Sequence, residues 1–118
     1  MKVLDSFAWF EYFDGTKAGA RVNDLLNSAE TIATPATCLT EVKRKLIREG
    51  DDWEKEVAFI QEHSRVLPLT VEIALRAGDL KSLHFADSLV YATAQEHGAV
   101  LVTGDPHFKG HKGVEFFK

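Results

Sequence analysis

Two hydrophobic rhythms alternate along the chain: short apolar runs, and longer segments whose apolar positions fall at helical spacing. Residues 2–4, with Val3 and Leu4, predict a short buried strand, and a helix over Ser6–Phe13 follows, closed by Gly15. Val22, Leu25, Leu26 and Ala29 recur at i, i+3, i+4 and i+7, the pattern of an amphipathic helix face. Residues 31–34 predict a second strand, stopped by Pro35. Leu39, Val42 and Leu46 stripe the next helix, and Gly50 stands just past its end. Asp51, with Glu54 three residues on, has the form of a capping box before a helix striped by Trp53, Val57 and Ile60. Residues 66–69 predict a third strand, after which Thr70 can cap a helix running through Ala74, Ala77 and Leu80. Phe85–Glu96 predicts a helix that Gly98 terminates, and residues 99–102 and 114–117 read as two further strands.

Strands that alternate with helices need crossover connections, so the expected sheet is mostly parallel with helices on both faces. The fold class is α/β, in a single domain over residues 1–118. Composition changes this picture little. With 45% apolar and 27% charged residues, the chain has the balance of an ordinary folded protein. Its charge matters more: 14 basic against 18 acidic residues leaves −4, no global field for nucleic acid. That weighs against a binding-only role more than against an enzyme that recruits phosphate through metal ions. Cys38 is alone, so no internal disulfide forms, and it reads as a small half-apolar filler. The opening run is too short for a signal peptide and no run approaches a membrane span, so a cytoplasmic location is the default expectation.

The acids carry the chemistry. In open α/β sheets, ligands bind beyond the carboxyl ends of the strands. Asp5 directly follows the first predicted strand and Asp105 the fourth, while Glu41 and Asp87 lie in the early turns of helices that start from the same rim. Taken singly, Asp5 and Asp87 also suit helix N-termini, Asp105-Pro106 a turn, and Glu41 a solvated helix face. Together, four carboxylates need protons or cations as counter-charge, and oxygen-rich ligation points to Mg²⁺ or Mn²⁺. His63, His84, His97, His107 and His111 show no zinc-ligand spacing with Cys38, and the His107/His111 pair sits in a loop-like context. Asp5-Ser6-Phe7 lacks the Asp-x-Asp of haloacid-dehalogenase-like phosphatases, the third strand offers no receiver-type acceptor Asp, and no Gly-rich phosphate loop follows Leu4.

Four motifs stand in order along the chain: Val3-Leu4-Asp5-Ser6, Leu39-Thr40-Glu41-Val42, Phe85-Ala86-Asp87-Ser88-Leu89 with Ala92-Thr93-Ala94, and Leu101-Val102-Thr103-Gly104-Asp105-Pro106-His107-Phe108. Together they resemble the PIN domain family, and within it VapC-like toxin ribonucleases of type II toxin–antitoxin pairs. The resemblance implies a three-layer α/β/α fold on a roughly five-stranded sheet. It implies a divalent-metal-dependent endoribonuclease that cuts single-stranded RNA to 5′-phosphate and 3′-hydroxyl ends. Asp5, Glu41, Asp87 and Asp105 fall on the family's acidic positions, with Ser6 and Thr103 where hydroxyls support them. A helix cap at Ser6 and a β-branched strand residue at Thr103 are the plainer readings. The connection of Lys81-Ser82-Leu83-His84 before the third acid is shorter than in many relatives. A catalytically silent interaction module and a small-molecule metal-dependent phosphatase are the rival readings.

Lys43, Arg44, Lys45, Arg48, Lys81 and Lys109 are candidates for RNA phosphate contacts, although each also suits a solvated surface. The aromatic first helix suggests a protein surface: Phe7 and Phe10 are assigned to the core, and Trp9, Tyr12 and Phe13 to contacts with an antitoxin. The resemblance adds homodimer formation.

Overall fold

The computed structural model describes residues 1–117; Lys118, the last residue of the expected domain, lies outside them. The elements run β1 (Lys2–Leu4), α1 (Ser6–Phe13), α2 (Gly19–Leu26), β2 (Ile32–Pro35), α3 (Ala36–Glu49), α4 (Trp53–His63), β3 (Arg65–Leu67), α5 (Val71–Gly78), α6 (Phe85–Glu96), β4 (Val100–Thr103) and β5 (Val114–Phe116). A short 3-10 turn, Pro106–Phe108, lies between β4 and β5.

All pairings in the five-stranded sheet are parallel, in the order β3-β2-β1-β4-β5. Successive residues of a strand face opposite sides. Val3 and Leu101 therefore join one core, with Tyr91, Val90 and Phe108, while Leu4 and Val102 join the other, with Trp9, Val22, Val42 and Ile60. Helix α3 feeds both, giving Cys38 to the first and Val42 and Leu46 to the second. The α/β/α arrangement expected from the alternation is the one observed.

The differences are local. Cys38 rather than Leu39 leads the buried stripe of α3, and Leu39 is only half-buried. Asp52, not Asp51, caps α4, its carboxylate accepting from Glu54 N at 3.1 Å. Helix α5 buries Ile73 and Ala77 and leaves Ala74 exposed. β3 ends at Leu67, because Pro68 supplies no donor to a ladder, and Leu69 is exposed. Ala29 lies beyond the end of α2.

Trp9 corrects the largest expectation. It is fully buried, and its indole Nε1 donates to Thr34 Oγ1 at 3.0 Å. It is a core residue of the sheet–helix interface and offers no surface to a partner. A helix aromatic on several sides is here covered from several sides: Trp9 also packs against Tyr12, Phe13 and Phe59. Tyr12 and Phe13 remain half-exposed, and so do Phe7 and Phe10, for which the sequence predicts full burial; Phe10, Tyr12 and Phe13 pack against the core from its margin.

Candidate active site

The carboxyl edge of the sheet gathers the acids: Asp5 and Asp105 follow β1 and β4, Glu41 lies on α3, which leaves β2, and Asp87 lies at the start of α6, which runs back into β4. Asp5 leaves β1 and caps α1, its Oδ1 accepting from Ala8 N at 2.8 Å. Its Oδ2 accepts from Thr103 Oγ1, at the end of the neighbouring β4, at 2.6 Å. Thr103 Oγ1 in turn accepts from Asp105 N at 3.0 Å, so one buried hydroxyl ties together two acids 100 residues apart. The cap reading of Asp5 and the site reading are both true at once. Ser6, the first residue of α1, donates its hydroxyl to Glu41 Oε1 at 3.2 Å, which aims a carboxylate from the second turn of α3 at the same edge. Asp87 stands in the first turn of α6.

Electrostatics show how close they are. Burial pushes Asp5 up to about 7, against the Thr103 and Ala8 hydrogen bonds, and the charges of Asp105 and Glu41 push it further the same way. Glu41 is raised by burial and by Asp87 and Asp105, with the Ser6 bond opposing. Asp87 is raised by burial and by Asp105, while His107 and His84 oppose. The four acids thus act on one another across a single rim. Among the described residues, no lysine or arginine forms an ion pair with any of them.

A histidine without zinc-ligand spacing in the sequence joins the acids. His107 Nδ1 lies 2.8 Å from Asp105 Oδ1 and 3.8 Å from Asp87 Oδ2. Potential ligand atoms of Asp87, Asp105 and His107 all fall within 4.8 Å of one another. The 3-10 turn that Asp105 opens, its Oδ1 accepting from His107 N at 3.0 Å, swings the imidazole back to the rim. The available signal was Asp105-Pro106-His107, a histidine two residues past an acid and after a proline turn. His84 packs edge-on against it, 4.9 Å between ring centroids. His111 instead meets Tyr91. Several carboxylates with raised affinity for protons, one imidazole and no ammonium or guanidinium suit a hard divalent cation that tolerates nitrogen.

Four of the six candidate basic residues lie on α3 and the other two in loops. Lys43 lies over the Trp53 ring at 4.0 Å; Lys45 pairs with Glu49 at 3.2 Å and covers Phe10; Lys109 lies 5.7 Å from the Phe116 ring centroid. Arg44, Arg48 and Lys81 are exposed and form no ion pair among the described residues.

The fold and the rim define an α/β protein with an acidic edge fit for a divalent cation. The family model described as the PIN domain matches residues 2–113, and the chain belongs to that family. None of the curated proteins compared with it matches. Among solved structures, it is similar to a toxin–antitoxin complex from Klebsiella pneumoniae at TM-score 0.84 and 20% identity, covering 100% of this chain and 98% of that one. It is similar to Mycobacterium tuberculosis VapC20, a sarcin–ricin loop cleaving toxin, at TM-score 0.78 and 18% identity, each chain fully covered. VapBC2 from Rickettsia felis, bound to a fragment of its promoter DNA, matches at TM-score 0.77 and 16% identity, covering 99% of this chain and 98% of that one. These likenesses describe a shared fold. No helix among the described residues is long and apolar enough to cross a membrane.

Proposed function

We propose that the protein is a divalent-metal-dependent endoribonuclease acting on single-stranded RNA, the toxin of a toxin–antitoxin pair. The observation that carries this reading is the convergence of Asp5, Glu41, Asp87 and Asp105 on one rim with no lysine or arginine ion-pair partner among the described residues, in a chain of the PIN family. The similar VapC20 supports RNA as the substrate, and the similar complexes support a protein antitoxin.

Asp87, Asp105 and His107, whose ligand atoms lie within 4.8 Å of one another, would hold the cation, with Asp5 beside them as a further carboxylate; Mg²⁺ or Mn²⁺ fits, and the imidazole favours Mn²⁺ of the two. A cation held there would lower the pKa of a water it binds and would offset charge on the phosphate and leaving oxygen. Thr103 and the Ala8 amide fix both oxygens of Asp5, so its carboxylate is held in one orientation before substrate arrives. Glu41, oriented by Ser6, takes a proton from the attacking water at its free oxygen, a role that its raised pKa suits. Arg44, Arg48 and Lys81, exposed near the helices that carry the acids, meet flanking phosphates.

For the antitoxin, Tyr12 and Phe13 line a cleft of about 360 Å³ with Ala58, Phe59 and Glu62, where Tyr12 and Phe59 stack at 5.5 Å. An apolar cleft with aromatic walls suits a partner side chain. Homodimer formation belongs to the same reading.

Incubation of end-labelled single-stranded RNA with the purified protein tests the proposal. Cleavage is expected with Mn²⁺ or Mg²⁺, none with chelator, and a fall of two or more orders of magnitude in Asp87→Asn with its thermal melt retained. Cleavage that persists in chelator or in Asp87→Asn overturns it.

A further inference from the structure

Beside the acidic rim lies a cavity of about 200 Å³ walled by Thr37, Thr40 and Glu41 of α3 and by Phe85, Ala86 and Leu89 of α6. Three features set it apart from an ordinary surface dimple. Phe85 is 82% exposed, the most exposed large apolar side chain among the described residues. It opens α6 only two residues before Asp87, so an aromatic face stands in water next to the site. The second feature is Thr37, whose Oγ1 is buried yet has no hydrogen-bond partner. Deep in a helix a threonine can satisfy itself on a carbonyl one turn back, as Thr93 does on Leu89 at 2.7 Å, but Thr37 is the second residue of α3 and has no helical turn behind it. A buried hydroxyl left unpaired is costly, and because no bond holds it, a turn of the Thr37 side chain about χ1 would bring it to a ligand in the cavity that Thr37 lines. The third is continuity: Glu41 is a wall of this cavity as well as a member of the acid group. Thr37, Thr40, Glu41 and Arg44 recur at i, i+3, i+4 and i+7 on α3, a single stripe leading from the rim to an exposed guanidinium.

We propose that this cavity receives a nucleobase of the RNA strand adjacent to the scissile phosphate, stacked on Phe85 and hydrogen-bonded by Thr37. This rests on the nuclease reading given above and adds to it the subsite that grips the substrate. Single-stranded RNA is held by stacking unpaired bases on aromatic rings and by hydrogen bonds to their edges, with phosphates on basic side chains. A hydroxyl both donates and accepts, so Thr37 can meet either kind of base-edge atom. Arg44, one turn past Thr40, is placed for the next phosphate. A protein whose net charge is −4 draws little affinity from its overall field, so a stacking contact beside the acids carries a correspondingly larger share.

The test is a binding cycle with a short single-stranded RNA that the protein cleaves, measured in chelator so that it stays intact. The RNA is made in full and with one base removed, the abasic position being stepped along the strand. On the wild type, one abasic position is expected to weaken binding about tenfold, and Phe85→Ala to weaken the full RNA by a similar factor. On Phe85→Ala, that abasic position is expected to have no further effect, and Thr37→Val to show a smaller loss at the same position. Sedimentation and Mn²⁺ affinity are read on each variant and are expected to be unchanged. Additive losses, or wild-type RNA affinity in Phe85→Ala, overturn the subsite while leaving metal-dependent cleavage by the wild type standing. A Phe85→Ala variant that loses mass in solution but not RNA affinity makes the ring a contact between copies, which also overturns it. A wild type that neither binds nor cuts RNA removes the subsite and the nuclease reading together.

Discussion

Asp5 bears the strain of the site. A fully buried carboxylate at about 7 means that the fold resists its ionisation, and a cation is the partner that reverses this. The sign is set by the folded state holding this proton more tightly than the unfolded chain, where the carboxyl titrates near 3.8. Asp5 therefore contributes stability in full below 3.8, and that contribution is lost as pH rises through about 7, by roughly 4 kcal/mol in all. Thermal melts in chelator are expected to show the melting temperature falling over that window, and Asp5→Asn to flatten the fall while removing stabilisation by Mn²⁺. An equal slope in Asp5→Asn would sink this account of Asp5. The acids were legible in the sequence because each lies at a strand end or in the first turns of the following helix, positions that polarity and chain order reveal. His107 was not, since its approach depends on a 3-10 turn whose path no periodicity encodes. Trp9 misled for a related reason. Its spacing says that it cannot share one stripe with Tyr12 and Phe13, but not that α1 is covered by the sheet and by the aromatic ring of Phe59 as well.

At the scale of elements, alternation predicted the order of strands and helices well, because the central strands β1, β2 and β4 are short, mostly buried apolar runs and several of the helices carry an apolar stripe. Stripe phases were harder. In α3, Cys38, Val42 and Leu46 lie on one stripe at i, i+4 and i+8, yet Cys38 joins one core and Val42 and Leu46 the other, a division that the spacing alone does not reveal. The packing of α1 on α2 was invisible in hydrophobicity because it turns on a missing side chain. A Cβ at Gly19 would stand 2.2 Å from the carbonyl oxygen of Glu11 and 2.9 Å from Tyr12 Cα, backbone atoms that cannot step aside. Helix propensity alone favours alanine over glycine by about 1 kcal/mol. Gly19→Ala is nonetheless expected to destabilise, by about 1–3 kcal/mol, through separation of the two helices. Chemical denaturation decides, and a stabilised variant would show that α1 and α2 do not approach so closely.

For the whole molecule, the parallel order β3-β2-β1-β4-β5 puts β1 and β4 side by side at the centre, which is why Asp5 and Asp105 meet although nearly the full chain separates them. Glu41 and Asp87 are delivered by helices that leave the same edge, and Glu115, far from that group, is instead tied to Lys2 at 3.3 Å and Arg21 at 2.8 Å. Acid charge is therefore neutralised by basic side chains where the fold can spare it, and left open where four carboxylates gather. The most direct measurement of that claim is calorimetric titration of Mn²⁺ into the wild type and into the double variant Asp5→Asn, Asp105→Asn, both checked for a cooperative melt. The wild type is expected to bind the ion at this centre, and the double variant to bind at least about tenfold more weakly with its fold retained. Equal affinity in the two proteins would contradict a metal centre built from these acids.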